Sequence, residues 1–160
     1  MLPDPLHPAV VHLPLALAVL MPLLAAAGTL AIAKGLVPAR TWLVVAMLQV
    51  LLVGSAWTAG ETGEDEEERV ERIVAEQHIE THEEAAERLL IVAGVAALLV
   101  ATGLLPDRLG RAGRVIGTLA SFGVLAAAVS AGHSGGELVY RHGAASAYTE
   151  ASARTAEHGP

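Results

Sequence analysis

The sequence predicts an all-α protein, a four-helix transmembrane bundle whose third helix extends outside the membrane. Three observations carry this. Four stretches, at 9–33, 41–60, 89–105 and 115–132, contain no Asp, Glu, Lys or Arg. Each falls within the roughly 17–25 residues that a helix needs to cross a bilayer. Charge is concentrated instead of dispersed: 15 of the 27 charged residues lie between Glu61 and Arg88, and the other 132 residues share 12. The segment from Glu64 to Arg88 has no Gly or Pro and carries helical signals, so the acidic connection is itself structured.

The first span, Ala9–Ala33, is preceded by Met-Leu-Pro-Asp-Pro-Leu-His-Pro, which lacks Lys and Arg. Its apolar run also exceeds the roughly 7–15 residues of a signal-peptide core, so it reads as a retained helix. Pro8 suits a first helical turn. The second span, Thr41–Gly60, has Trp42 and Trp57 near opposite ends, where aromatic rings favour the two membrane interfaces. The acidic segment follows, with Val70, Ile73, Val74 and Ile79 at a partial helical period. The pairs Asp65–Arg69, Glu68–Arg72 and Glu84–Arg88 have i,i+4 spacing. The expectation is a third helix beginning near Asp65, standing outside the membrane and entering it near Leu89. The third and fourth spans are Leu89–Leu105 and Val115–Gly132. Residues 1–143 form the transmembrane domain on this reading, and 144–160 a polar tail.

Orientation follows from the short loops. Lys34–Arg40 carries two positive charges, and Asp107–Arg114 three Arg against one Asp. Short basic loops stay on the cytoplasmic side. Both termini and the acidic segment are then expected outside, in a multi-pass protein of the bacterial inner membrane. Gly113, Gly117 and Ser121 form a small-residue face at the start of the fourth helix, and Gly123, Ala127 and Ala131 form another. Such faces serve packing within a monomer or in an oligomer.

Composition excludes several functions. The net charge of −7 gives no basic footprint for a nucleic-acid duplex. Aromatic residues make up 3% of the chain, too few for a single-strand stacking platform. The absence of Cys rules out disulfides, thiolate metal sites and covalent c-type haem attachment. No nucleophilic triad or phosphate-binding glycine loop is visible. Ser134, near His133 and Glu137, reads as a coincidence of a surface turn.

The histidines are the most informative residues. His7, His12, His78, His82, His133 and His142 all fall on the outer side or within about a turn of it, and the basic loops have none. His158 lies in the tail. His78 and His82 share a helix face. One metal ion can take both, but one haem cannot, because its axial ligands approach from opposite sides. His12 and His133 fall at the membrane ends of their spans, where ionisable groups are costly and often functional.

Two segments resemble a known family. His-Pro-Ala-Val-Val-His-Leu-Pro-Leu-Ala-Leu at 7–17 resembles the opening of the bacterial membrane family known as domain of unknown function 2231. Gly-His-Ser-Gly-Gly-Glu-Leu-Val-Tyr-Arg-His-Gly at 132–143 resembles its closing motif in one subgroup. The resemblance implies a small four-helix membrane protein. Some members are joined to c-type cytochrome domains, which implies redox work and a c-type cytochrome as a candidate redox partner.

The leading functional expectation is a membrane cytochrome that binds b-type haem and transfers electrons, with no substrate converted. Four-helix bundles build cofactor sites from side chains on facing helices. First and third helices are diagonal in an up-down bundle, so His12 and His82 are expected to grip a haem across the centre. His133 with His7, or His142 with His78, would hold a second. The alternative is a Zn or Cu site at His12, His82 and His133 with Glu80, Glu83 or Glu137. His78-Ile-Glu-Thr-His82 lacks the Glu directly after the first His that a zinc-peptidase helix needs. A third possibility is a non-catalytic packing subunit.

Overall fold

The computed structural model describes residues 6–147. Its elements are α1 (His7–Val10), α2 (His12–Ala33), a 3-10 turn (Ala39–Thr41), α3 (Trp42–Val70), α4 (Glu76–Thr102) and α5 (Asp107–Tyr140). The described residues contain no strand. Four helices, His7–Ala33 taken as one, are long and apolar enough to cross a membrane. Each long helix packs on two neighbours: α2 on α3 and α5, and α4 on α3 and α5. The first and third spans are therefore diagonal.

The surface is apolar where lipid would touch it. Leu23, Met47, Leu98 and Leu119, one from each long helix, are all more than 60% exposed. The interior is small. Ala18, Ala25, Ala93, Ala96 and Ala128 are almost fully buried beside Met21, Leu52, Val100 and Val124. Lipid tails are as apolar as Leu, so helices in a membrane associate through close packing and hydrogen bonds rather than through a hydrophobic drive. The small-residue face of α5 serves that purpose here. Gly113 lies against Thr102 and the Gly103 backbone, and a Cβ on Gly117 would sit 3.0 Å from the Val100 Cα.

Several boundaries differ from the sequence expectation. The helix of the second span does not stop near Gly60. It runs through the acidic residues to Val70, and α4 starts at Glu76 instead of near Asp65. The periodic apolar residues Val70, Val74 and Ile79 do not share one helix face. The chain folds back at 71–75 and brings them together in a satellite cluster with Leu138 and Ala144. Ala144 and Ala147 are buried, so the first residues assigned to the polar tail belong to the folded unit. The remainder of the tail, including His158, lies outside the described residues. Asp107–Arg114, read as a loop, is the first two turns of α5, with Pro106 as its N-cap residue in extended conformation. Trp42 is not an interfacial anchor. It is fully buried, donates its indole N–H to the Val100 carbonyl at 2.8 Å, and packs against Gly103. Trp57 is 58% exposed, as an interfacial ring would be.

The tight α4–α5 contact generates a testable contrast. Gly113→Ala drives a methyl group into Thr102 and should lower stability by about 1–3 kcal/mol. Gly94→Ala adds its methyl to open space. It should be neutral or stabilise by up to ~1 kcal/mol. Thermal unfolding of the detergent-solubilised variants measures both.

Candidate functional site

The first span opens with a break that decides which histidine faces inward. Pro14 has no N–H to offer the Val10 carbonyl, and the helix is interrupted at Val11 between α1 and α2. His7 is half-buried at the start of α1, whereas His12 is exposed on the outside of the bundle. Five residues correspond to about 140° around a helix of 3.6 residues per turn, so the two rings do not share a face.

The acidic extension of α3 holds His7 in place. Glu66 Oε1 accepts hydrogen bonds from the backbone N–H of Leu6 at 2.7 Å and of His7 at 3.1 Å. One carboxylate oxygen thus satisfies two of the free N–H groups that every helix start presents. The His7 ring donates from Nδ1 to the Ala59 carbonyl at 2.8 Å, with Thr62 Oγ1 at 3.4 Å. A carbonyl can only accept, which fixes the proton on Nδ1. Gly63 makes room for the ring, since a Cβ there would lie 3.2 Å from His7 Cε1.

His82 is held in the same way from α5. Its Nδ1 lies 3.0 Å from Ser134 Oγ, and that hydroxyl donates to the Ala131 carbonyl at 3.0 Å. With the hydroxyl proton committed, Nδ1 is the donor and Nε2 keeps its lone pair. Gly135 clears the space beside it, where a Cβ would lie 3.0 Å from His82 Cε1. His82 sits in the charged part of α4, nearly two turns before the apolar run at Leu89. Burial, and then repulsion from His7, holds its pKa below the usual histidine value, against a backbone bond to Ala131 that works the other way.

The two rings meet across the diagonal of the bundle, with centroids 6.3 Å apart and planes at 80°. The partner that the fold gives His82 is therefore His7, not the expected His12. No hydrogen bond engages Nε2 of either ring among the described residues.

The other histidines are placed differently. His78 stacks on His142, centroids 3.7 Å apart and planes at 19°, so the start of α4 grips the chain after α5. Lone pairs lie in the ring planes, so near-parallel stacked rings do not aim them at a common point. His133 is exposed and 3.8 Å from Glu137 Oε1, which also binds Arg141 at 2.6 Å. With Gly132, Gly136 and Tyr140 these three line an open groove of about 300 Å³ on α5. Glu83 faces acids instead of a histidine. Partial burial, then Glu67, Glu64, Glu71 and Glu80, raise its pKa. Among the described residues no group of three or more His, Asp or Glu side chains is arranged to hold a metal ion.

Sequence reasoning missed Glu66 and Ser134. Glu66 is one of twelve acids between Glu61 and Arg88 and has no local mark. Ser134 was legible only by its i+3 spacing from Ala131, which lets its hydroxyl bond back along the helix.

Two outcomes follow. Glu66→Ala strands two N–H groups and should speed amide hydrogen exchange across residues 7–11 while leaving the middle of α2 unchanged. The depressed His82 pKa means that the unfolded chain binds its proton first as pH falls. The stability contributed by neutral His82 is complete above about pH 6.5 and is lost below it, down through the folded-state pKa. Thermal midpoints measured from pH 8 to pH 5 should fall for the parent protein and flatten in His82→Asn.

Residues 3–147 match the family model described as "Predicted membrane protein (DUF2231)". No curated protein and no solved structure matches the chain. The match covers most of the sequence, and the chain belongs to this family.

Proposed function

We propose that this family member binds b-type haem between His7 and His82 at the outer end of the bundle and serves as a membrane electron carrier. The observation that supports this is the pair itself. Two imidazoles approach across the bundle diagonal, each with Nδ1 tied to a neighbouring helix and Nε2 left bare. Ligating histidines characteristically give their other N–H to a carbonyl or hydroxyl, which fixes the tautomer and raises ligand basicity. The ring centroids lie 6.3 Å apart, so a single group held at this end of the bundle would have both imidazoles within reach as its ligands.

The donor count favours haem over a bare ion. A Zn or Cu site built by protein alone takes three or four side-chain ligands, and this pair offers two. Haem brings its own ring nitrogens, and His7 and His82 would be the side chains that hold it. Gly63 and Gly135 fit the same purpose, because any side chain at either position would press on a ligating ring. Bound haem supplies a reversible one-electron couple at its iron. The chain holds the ligand protons at Nδ1, keeps both rings oriented through Ala59 and Ser134, and screens the site from the membrane interior with the helix packing below it. Electron transfer to a separate redox protein at the outer face is part of this proposal.

The test is an absorption spectrum of detergent-purified protein expressed with haem supplied, oxidised and then reduced with dithionite. The parent should show a Soret band with sharp α and β bands on reduction. His7→Ala or His82→Ala should reduce haem occupancy at least about tenfold, a loss of ~1.4 kcal/mol or more in binding. His12→Ala and His133→Ala should retain the spectrum. A colourless parent under these conditions sinks the proposal, as does loss of the spectrum in His12→Ala but not in His7→Ala.

A further inference from the structure

The opposite end of the bundle holds Arg114, the one Lys, Arg, Asp or Glu that the fold buries among the described residues, at 7% exposed. Its Nη1 donates to the Gly103 carbonyl at 2.7 Å, closing the C-terminus of α4. Gly110 leaves it room, since a Cβ there would lie 3.3 Å from Nη1. That bond uses one of five guanidinium donors and neutralises no charge. Among the described residues no carboxylate forms an ion pair with Arg114. Asp107 is the sole acid at this end, which also carries exposed Lys34, Arg40, Arg108 and Arg111. A charge withdrawn from water without a counter-charge is costly.

The remaining donors are not sealed in. Gln49 Oε1, in the middle of the bundle, is the fully buried side-chain polar atom without a partner among the described residues, and no Arg114 nitrogen shares that condition. The guanidinium, 7% exposed, therefore keeps a narrow contact with the rim of the bundle. The apolar run of α5 starts at Val115, so this rim lies at the depth of lipid headgroups. A guanidinium fork matches two phosphate oxygens at once, and basic pockets between helices at this depth bind anionic headgroups.

We propose that Arg114 binds the phosphate group of an anionic phospholipid at the basic rim of the bundle. The site is separate from the histidine pair, and the proposal stands or falls independently of haem. The probes are phosphatidylglycerol, phosphatidylcholine and inorganic phosphate, each added to parent protein, Arg114→Gln, Arg114→Lys and Arg111→Gln in a mild detergent. Phosphatidylglycerol should raise the parent's thermal midpoint by at least about 3 °C over phosphatidylcholine. Arg114→Gln should lose that difference, Arg114→Lys should keep part of it, and Arg111→Gln should keep most.

An equal drop of Arg114→Gln in both lipids, with the difference between lipids intact, would reduce Arg114 to a helix cap and overturn the proposal. A shift of the same size from millimolar inorganic phosphate would overturn the lipid assignment in favour of a soluble phosphate. Native mass spectra of the parent protein are a second arm, should Arg114→Gln fail to fold. Retention of phosphatidylglycerol in preference to phosphatidylcholine supports the site, and equal retention counts against it.

Discussion

Close approach of helix backbones is the constraint on which the structure depends. In lipid the helices gain little by hiding apolar side chains from their surroundings. They associate only where backbones come near enough for dense contact. Ala18, Ala25, Ala93, Ala96 and Ala128 provide that along the interior. Gly113 and Gly117 provide it at the tightest contact, between α4 and α5. The same closeness makes buried polar groups demanding, because an interior without water offers only backbone partners. Trp42 turns its indole N–H to the Val100 carbonyl, Gln49 its amide to Ala93, and Arg114 its guanidinium to Gly103. All three bonds land on α4, which is thereby tied to α3 and α5 by hydrogen bonds as well as by packing.

Beyond the apolar spans the surroundings change and so does the means of cohesion. The acidic turns at the end of α3 and the start of α4 are open to solvation by water, and repulsion of Glu83 by Glu64, Glu67, Glu71 and Glu80 opposes their approach. Directional bonds and a small apolar cluster offset it. Glu66 fastens the start of α1, Ala59 and Thr62 fasten the His7 ring, and Ser134 fastens His82. Val74, Ile79, Leu138 and Ala144 close the end with the His78–His142 stack. The central histidine pair is thus held by hydrogen bonds from two helices, α3 at His7 and α5 at His82.

The four spans were legible because a bilayer imposes a length and an absence of charge that hydropathy records directly. The acidic turn was not. Its break at 71–75 contains no Gly or Pro, while Gly60 and Gly63, the local residues that look like breakers, lie inside α3. Gly63 is there because the His7 ring occupies the space of its side chain, a reason visible only in three dimensions. The burial of Trp42 was hidden similarly, since an indole at a span end suits lipid headgroups equally well until Gly28 and Gly103 are seen to make a pocket for it. The clustering of histidines at one end was legible, but their pairing was not. His7 and His12 open the same span, and only the interruption at Val11 decides which ring turns inward.

The distribution of charge bears on what the histidine pair can hold. Twelve acids against three Arg between Glu61 and Arg88 give the histidine end of the bundle a strongly negative field. Such a field alone would favour protonated histidines. His82 nevertheless stays easier to deprotonate than a free imidazole, because burial and the nearby His7 outweigh its backbone bond to Ala131. The Glu66 carboxylate accepts two backbone N–H groups at Oε1. The hydrogen bonds of the two rings run from Nδ1 to Ala59 and Ser134, inside strongly negative surroundings. A cationic centre placed between such rings is attracted by the field as well as by the ligands, and its more highly charged state gains more. For the one-electron couple proposed above, the acidic field would favour the oxidised state and lower the reduction potential, whereas burial of the site would oppose the added charge and raise it.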